Sequence, residues 1–281
     1  MNKEIVVGST YKKELSSTYN MSIQLRLNGL SFSIFDPVTN AFVVRGNMDI
    51  GEPDPIYAKQ EEYMLIDTYF KQTYKSLKVG IESSTFTMLP SDLYDESRLS
   101  ELTSFVGIKE NEDVKILTDK IDAISSVIVF PIPQFLYYFL RTQFAEATIM
   151  HTITPMVDCL LYKREGKNID NVVNVVFTSQ GVTILASENN RLKLCNEFRS
   201  QIATDMVYTV LYALEQLKMN NTRTKIIISG DVDVDDNRVK LLTRFAHNVS
   251  VALRPQFFNY DIPLSNKEHK FTTLYMMSLC E

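Results

Sequence analysis

The stretch that decides the fold is residues 21–48, MSIQLRLNGLSFSIFDPVTNAFVVRGNM. Ile23 and Leu25 alternate with polar neighbours, which is the period of a half-buried strand. Asn28 and Gly29 follow at once, and both residue types tolerate the positive φ of a two-residue hairpin turn. The pattern therefore predicts a meander of three antiparallel strands, at Met21–Asn28, Leu30–Asp36 and Ala41–Met48.

The same order of residues returns at 172–198, VVNVVFTSQGVTILASENNRLKLCNEF. Gly181 occupies the turn there, 152 residues after Gly29 (181 − 29). A period of this length indicates duplicated domains rather than short repeats, and chance recurrence of the pattern in an α/β protein is the alternative. The sequence also predicts helices at Tyr57–Leu77, Pro90–Phe105, Pro133–Phe144, Gln201–Met219 and Asp235–Phe245, and strands at Val79–Met88, Ala123–Phe130, Lys225–Ser229 and Val249–Leu253.

The polar stretch Lys163–Asn171 is the predicted linker between the two copies. It divides the chain into a first domain at 1–165 and a second domain at 166–281. The helix at Pro133–Phe144 is apolar nearly all round, which predicts that it is buried.

Composition excludes several functional classes. The 281 residues are 45% hydrophobic and 22% charged, with a net charge of −5. An acidic chain without a basic run is a poor match to nucleic acid, whose phosphates attract lysine and arginine. No apolar run approaches the length of a membrane span. We expect a cytoplasmic protein that neither binds nucleic acid nor inserts into a membrane, with reduced cysteines at Cys159, Cys195 and Cys280.

Two βββαβα units in one chain resemble the actin-like ATPase fold, which is a pair of ribonuclease-H-like domains. The segments Phe130–Tyr137 (FPIPQFLY) and Phe86–Pro90 (FTMLP) are similar to those of an uncharacterised bacterial family with this fold. The resemblance implies an α/β protein of two ribonuclease-H-like domains in an actin-like arrangement.

The resemblance also implies a nucleotide cleft between the domains, where each domain offers an Asp-x-Gly hairpin to phosphate and Mg²⁺. Leu27 and Ser179 stand where the two acids belong, and neither side chain can replace a carboxylate there. The resemblance also implies an adenosine-contacting turn with paired glycines after a buried strand; Gly230 matches one of them, and Ser229 stands in place of the other. The cleft candidates are Asn28, Gly29, Ser179, Gln180, Gly181, Ser229, Gly230 and Asp231.

No catalytic or metal-binding set is predicted. The aspartates at 231–236 imitate the opening of a calcium loop, but Asp236 stands where glycine is needed and Leu242 where glutamate is needed. A turn in which Asp235 or Asp236 caps the next helix is the favoured interpretation.

The sequence favours a degenerate, non-catalytic actin-like protein that acts as a protein-binding or assembly module. The alternative is a nucleotide-binding ATPase or sugar-kinase-like enzyme with a modified phosphate site. No cofactor is expected under the first hypothesis, whereas ATP and Mg²⁺ would be needed under the second. The partner would be an unidentified protein or a second copy of this chain. Candidate partner-surface residues are Phe257, Phe258 and Tyr260, for which a packed tail is the alternative.

Overall fold

The computed structural model describes residues 2–105, 113–162, 171–219 and 223–280. Within these ranges the strands are β1 (Asn2–Val7), β2 (Asn20–Arg26), β3 (Gly29–Asp36), β4 (Ala41–Asp49), β5 (Ser76–Ile81), β6 (Thr87–Pro90), β7 (Val114–Ile121), β8 (Ser126–Pro133), β9 (Thr148–His151), β10 (Asn171–Phe177), β11 (Gly181–Glu188), β12 (Arg191–Arg199), β13 (Lys225–Gly230), β14 (Val249–Val251) and β15 (Asn259–Tyr260). The α-helices are α1 (Ala58–Ile66), α2 (Leu99–Phe105), α3 (Gln134–Gln143), α4 (Ile153–Tyr162), α5 (Ala203–Gln216), α6 (Asn237–Phe245) and α7 (Thr272–Met276).

Two sheets share one topology, which confirms the predicted mixed α/β fold. The first sheet has the order β1-β4-β3-β2-β5-β9, and the second has the order β12-β11-β10-β13-β14. Each contains a three-stranded antiparallel meander followed by two parallel strands, β5 and β9 in the first sheet and β13 and β14 in the second. The first sheet has β1 as an additional antiparallel strand beside β4. A small third sheet, β6-β8-β7, lies apart from both.

The two meanders match in detail. The register between β3 and β4 shifts at Ile34/Phe35, and the register between β11 and β12 shifts at Ala186/Ser187. These positions are again 152 residues apart (186 − 34). An irregularity of strand pairing that recurs at the same offset as the turn glycine supports duplication over chance recurrence.

Close strand approach explains why both turns need glycine. A Cβ at Gly29 would lie 2.1 Å from the carbonyl oxygen of Met48, and a Cβ at Gly181 would lie 2.1 Å from that of Phe198. Any larger residue would force the neighbouring strand away. The two glycines are therefore required by the packing of the meander itself.

The first helix and the strand after it were predicted with the wrong bounds. The helix predicted to reach Leu77 ends at Ile66, because the side chain of Asp67 accepts a hydrogen bond from the Tyr69 amide and turns the chain. Leu77 belongs to β5. The predicted strand Val79–Met88 is two strands in different sheets, separated by a turn in which the hydroxyl of Ser83 donates to the carbonyl of Thr85.

Two further predictions are corrected by local contacts. The helix predicted from Pro90 to Phe105 is only α2 at its end, preceded by short 3-10 helices, because Asp95 accepts from the Ser97 amide and starts a new turn. Helix α3 is buried on one face only, with Leu136 in the core but Tyr138 58% exposed.

The C-terminal segment returns to the first sheet. The short strand β15 pairs with β4, and α7 contacts β2, β3 and β13. The predicted second domain at 166–281 contains this segment. The predicted linker and the boundary at 165/166 lie outside the described residues apart from Asn171, so the division stays a prediction.

Among the described residues, no helix combines the length and the apolar character that crossing a membrane requires.

Candidate functional site: the cleft between the sheets

A hydrogen bond joins the two sheets at the predicted cleft. Asn28, in the turn after β2, donates from Nδ2 to Oδ2 of Asp231 at 2.6 Å. Asp231 directly follows β13, where Gly230 turns the chain with φ +88° and where a Cβ would lie 2.2 Å from the carbonyl of Phe177. Three of the predicted cleft residues, which come from opposite halves of the chain, therefore lie together.

The space left around this contact is a small polar cavity of about 70 Å³, which we call the inter-sheet cavity. The parts that enclose it are the hairpin end of the first sheet, the chain after β13 and the segment before α7. Its lining residues are Asn2, Glu4, Gln24, Arg26, Asn28, Asn47, Asp49, Glu82, Val176, Gly230, Asp231, Lys267, Lys270, Phe271 and Thr273.

One face of the first sheet is polar and yet covered by protein. Arg26 donates from Nη1 to the hydroxyl of Ser31 at 2.8 Å and from Nη2 to Oδ1 of Asn47 at 3.0 Å. Ser31 is fully buried, and Gln24 on the same face is nearly so. The polar positions of the alternating pattern therefore point into the cleft rather than into solvent, and α7 packs over them.

Glu82 is a site residue that the sequence analysis missed. It follows β5 directly, and its amide donates to the carbonyl of Leu25 at 2.9 Å. Burial raises the pKa of Glu82 to about 8; Arg26 opposes this rise, whereas Glu197 and Asp231 add to it. The carboxyl ends of parallel strands commonly carry ligand-binding groups. The predicted strand continued to Met88, so the sequence analysis did not place Glu82 at such an end.

The backbone amides of the second hairpin form hydrogen bonds within the hairpin itself. The hydroxyl oxygen of Thr178 accepts from the amides of Gln180 at 3.2 Å and Gly181 at 3.1 Å. The family resemblance implies that these amides would donate hydrogen bonds to a phosphate group. Ser179 and Gln180 lie at the partly buried end of this hairpin, and Ser229 is buried in β13.

The aspartate run after β13 is a capped turn, as predicted. Asp236 accepts from the Arg238 amide at 2.8 Å and caps α6. Lys270 lies 2.9 Å from Asp233 and 3.7 Å from Asp231. In the described parts of the chain, no group of three or more His, Cys, Asp or Glu side chains could hold a metal ion.

A buried ionic cluster anchors the segment before α7 to both sheets. Glu268 lies 2.7 Å from Nη1 of Arg45 on β4 and 2.7 Å from Nε of Arg254, which follows β14. The hydroxyl of Tyr275 donates to the same carboxylate at 2.9 Å. Burial would raise the pKa of Glu268, but the hydrogen bond from Arg254 and the charge of Arg45 hold it below its usual value.

The three predicted partner-surface residues lie in different environments. Phe258 is buried, with its ring centroid 5.0 Å from that of Phe42. Tyr260 is partly buried and stacks on Phe42. Phe257 is 43% exposed.

The fold and the paired hairpins define a protein of the actin-like ATPase fold. A Bacteroides thetaiotaomicron VPI-5482 protein with actin-like ATPase fold and unknown function superposes with a TM-score of 0.80 at 22% identity, over 97% of this chain and 100% of the other. The chain belongs to the family described as protein of unknown function (DUF3822), whose model matches residues 9–249.

Two more distant structures share the fold. One is from the PilM–PilN type IV pilus biogenesis complex, with a TM-score of 0.60 at 8% identity over 92% of this chain and 97% of the other. The other is the ethanolamine utilization protein EutJ from Carboxydothermus hydrogenoformans, with a TM-score of 0.50 at 8% identity over 98% of this chain and 92% of the other. No curated protein matches the chain.

Proposed function

We propose that this protein is a degenerate, non-catalytic actin-like protein that works by binding a protein partner or by assembling with other chains. The observation that carries the proposal is the Asn28–Asp231 hydrogen bond, which joins the predicted first phosphate hairpin to the predicted adenosine turn. The inter-sheet cavity of about 70 Å³ is small beside the ~300–1,000 Å³ of pockets that take small-molecule ligands and cofactors.

The chemistry of the two hairpins supports the same proposal. Phosphoryl transfer depends on metal positioning and charge neutralisation, and Leu27 and Ser179 carry no charge for either task. The amides of Gln180 and Gly181 already donate to Thr178, so the hairpin has no free pair of donors at that point to offer to a phosphate.

An apolar groove beside the second sheet is the proposed partner surface. Leu253 is 75% exposed and Leu264 is 78% exposed, and both line a groove of about 590 Å³ that also includes Phe258 and Tyr260. We call this surface the Leu253/Leu264 groove. Contiguous exposed apolar surface marks interaction sites in many soluble proteins. The PilM–PilN structure gives a fold-level analogy for a protein-binding role.

Photo-crosslinking tests the surface directly. A photoreactive amino acid would replace Leu253 or Leu264 in the full chain. Leu93, which is 71% exposed in a short 3-10 helix after β6, would be the matched control position. The proposal predicts one discrete crosslinked product from the groove positions and none from the control. A crosslinked dimer would identify a second copy as the partner. Identical product patterns at all three positions, or no product, would contradict the proposed surface.

A further inference from the structure

The inter-sheet cavity contains buried acceptors that the protein does not satisfy. Gln24 and Asn28 are only 6% and 7% exposed. Among the described residues, neither Oε1 of Gln24 nor Oδ1 of Asn28 receives a hydrogen bond. The Nδ2 of Asn28 donates to Asp231, which fixes the orientation of that amide. Buried polar atoms are nearly always hydrogen-bonded, so a donor bound in the cavity is expected.

The charged groups around the cavity define what such a donor must look like. Arg26 uses both Nη atoms on Ser31 and Asn47, although its Nε has no acceptor among the described residues. Lys270 is held by the two aspartates after β13. In contrast, the carboxyl group of Glu82 accepts no hydrogen bond from the part of the chain that the structure describes. Above its pKa of about 8 Glu82 is ionised, and this carboxylate together with Gln24 Oε1 and Asn28 Oδ1 then outnumbers the unpaired donor Arg26 Nε, which favours a donor-rich, positively charged ligand.

We propose that the inter-sheet cavity binds a small primary amine or ammonium ion, whose N–H groups donate to Gln24 Oε1, Asn28 Oδ1 and the carboxyl group of Glu82. The ligand must be small, because about 70 Å³ is room for only about five to seven water-sized atoms at roughly 10–15 Å³ each. A metal ion is a poorer match, since the described residues offer no set of three carboxylate, thiol or imidazole ligands. This proposal does not depend on the proposed protein-binding function.

The test compares monovalent cations, of which methylammonium alone has N–H groups to donate. The thermal unfolding midpoint of the full chain would be measured in methylammonium chloride, sodium chloride, potassium chloride and tetramethylammonium chloride at equal ionic strength. We expect methylammonium alone to raise the midpoint in a saturable way, as a ligand of the folded state does. Equal effects of all four salts would show that the cavity holds water only. An equal effect of potassium and methylammonium would overturn the requirement for N–H donors.

Two variants assign the effect to the cavity. Gln24→Leu removes an acceptor. Glu82→Gln removes, at nearly constant size, the negative charge that Glu82 carries above its pKa of about 8, so the titrations are run at pH 9. One variant remains usable if the other does not fold. Each is expected to weaken methylammonium binding at least tenfold, as measured by titration calorimetry. Glu188→Gln is the control, because Glu188 is exposed and pairs with Lys193. Unchanged affinity in both cavity variants would overturn the proposal.

Discussion

Asn28 and Asp231 are 203 residues apart in the chain, yet the side-chain amide of the first lies 2.6 Å from the carboxylate of the second. This contact joins the first turn of the first meander, between β2 and β3, to the end of β13. It therefore links the first sheet to the second across the inter-sheet cavity.

The energy of this contact is measurable by a double-mutant cycle. Hydrogen bonds to charged groups contribute about 1.5–3 kcal/mol, and we expect a coupling of that order between Asn28→Ala and Asp231→Ala in urea unfolding. The cycle removes the separate effect of Asp231 on Lys270, which lies 3.7 Å away. Additive effects of the two substitutions would mean that the contact does not hold the sheets together.

The raised pKa of Glu82 predicts how the free energy of unfolding changes with pH. Its pKa is about 8 in the folded protein and about 4.3 in an unfolded chain. The folded state therefore holds the proton more tightly, so the stabilisation is complete below about pH 4.3 and is lost as the pH rises through 8. Around Glu82, Arg26 opposes this shift, while Glu197 and Asp231 enlarge it.

The measurement compares urea unfolding of the wild-type chain and Glu82→Gln between pH 5 and pH 9. The wild-type chain should lose stability relative to the variant by at least about 1 kcal/mol over this range, the equivalent of roughly one pKa unit. Parallel pH profiles would show that Glu82 titrates normally.

The cluster around Glu268 should be a strong determinant of stability. Glu268→Gln leaves the buried guanidinium of Arg45 with only the exposed carboxylate of Glu4, 3.8 Å away, as a counter-charge. Breaking a buried pair costs about 3–5 kcal/mol. Because the pKa of Glu268 is lowered by folding, its contribution is present above about pH 4.3 and is lost as the pH falls through the folded-state value.

The control for the Glu268 prediction is Glu101→Gln. Glu101 pairs with Arg98 on an exposed surface, where ion pairs contribute little. Chemical denaturation should show a large decrease in the free energy of unfolding for Glu268→Gln and no measurable change in it for Glu101→Gln. Similar small decreases in the free energy of unfolding of both variants would contradict this prediction. They would mean that the buried cluster rearranges to accommodate the loss of its carboxylate.

The turn glycines offer a test of the duplicated meander. Gly29→Ala and Gly181→Ala each place a Cβ 2.1 Å from a backbone oxygen, so each should lower the free energy of unfolding by about 3 kcal/mol or more. Gly51 has φ +82° but no atom within 4 Å of a Cβ, so Gly51→Ala should cost only about 1–2 kcal/mol. Comparable losses at all three glycines would contradict the close-approach explanation.

Local patterns predicted the repeated part of the fold well. The alternation around Ile23 and the turn at Asn28-Gly29 depend on neighbouring residues, and the structure confirms both meanders. The end of α1 was missed because a single hydrogen bond to Asp67 decides it, which helical periodicity does not reveal.

The candidate site was predictable only in part. Gly230 and Asp231 were found because the family resemblance placed them at the cleft. Glu82 and Lys270 were missed, because their positions depend on strand pairing and on the return of the C-terminal segment across the cleft. Contacts between residues so distant in the chain produce no periodic pattern of residue types in the sequence.

Thermal unfolding with and without millimolar Mg²⁺-ATP tests the central claim most directly. A ligand that binds the folded state at about 100 times its dissociation constant adds roughly 2.7 kcal/mol, which would raise the midpoint by several degrees in a chain of this size. A closed, non-catalytic cleft predicts no shift with ATP, ADP or GTP. A clear rise with Mg²⁺-ATP would contradict the account, because it would show that the Asn28–Asp231 contact opens to admit nucleotide.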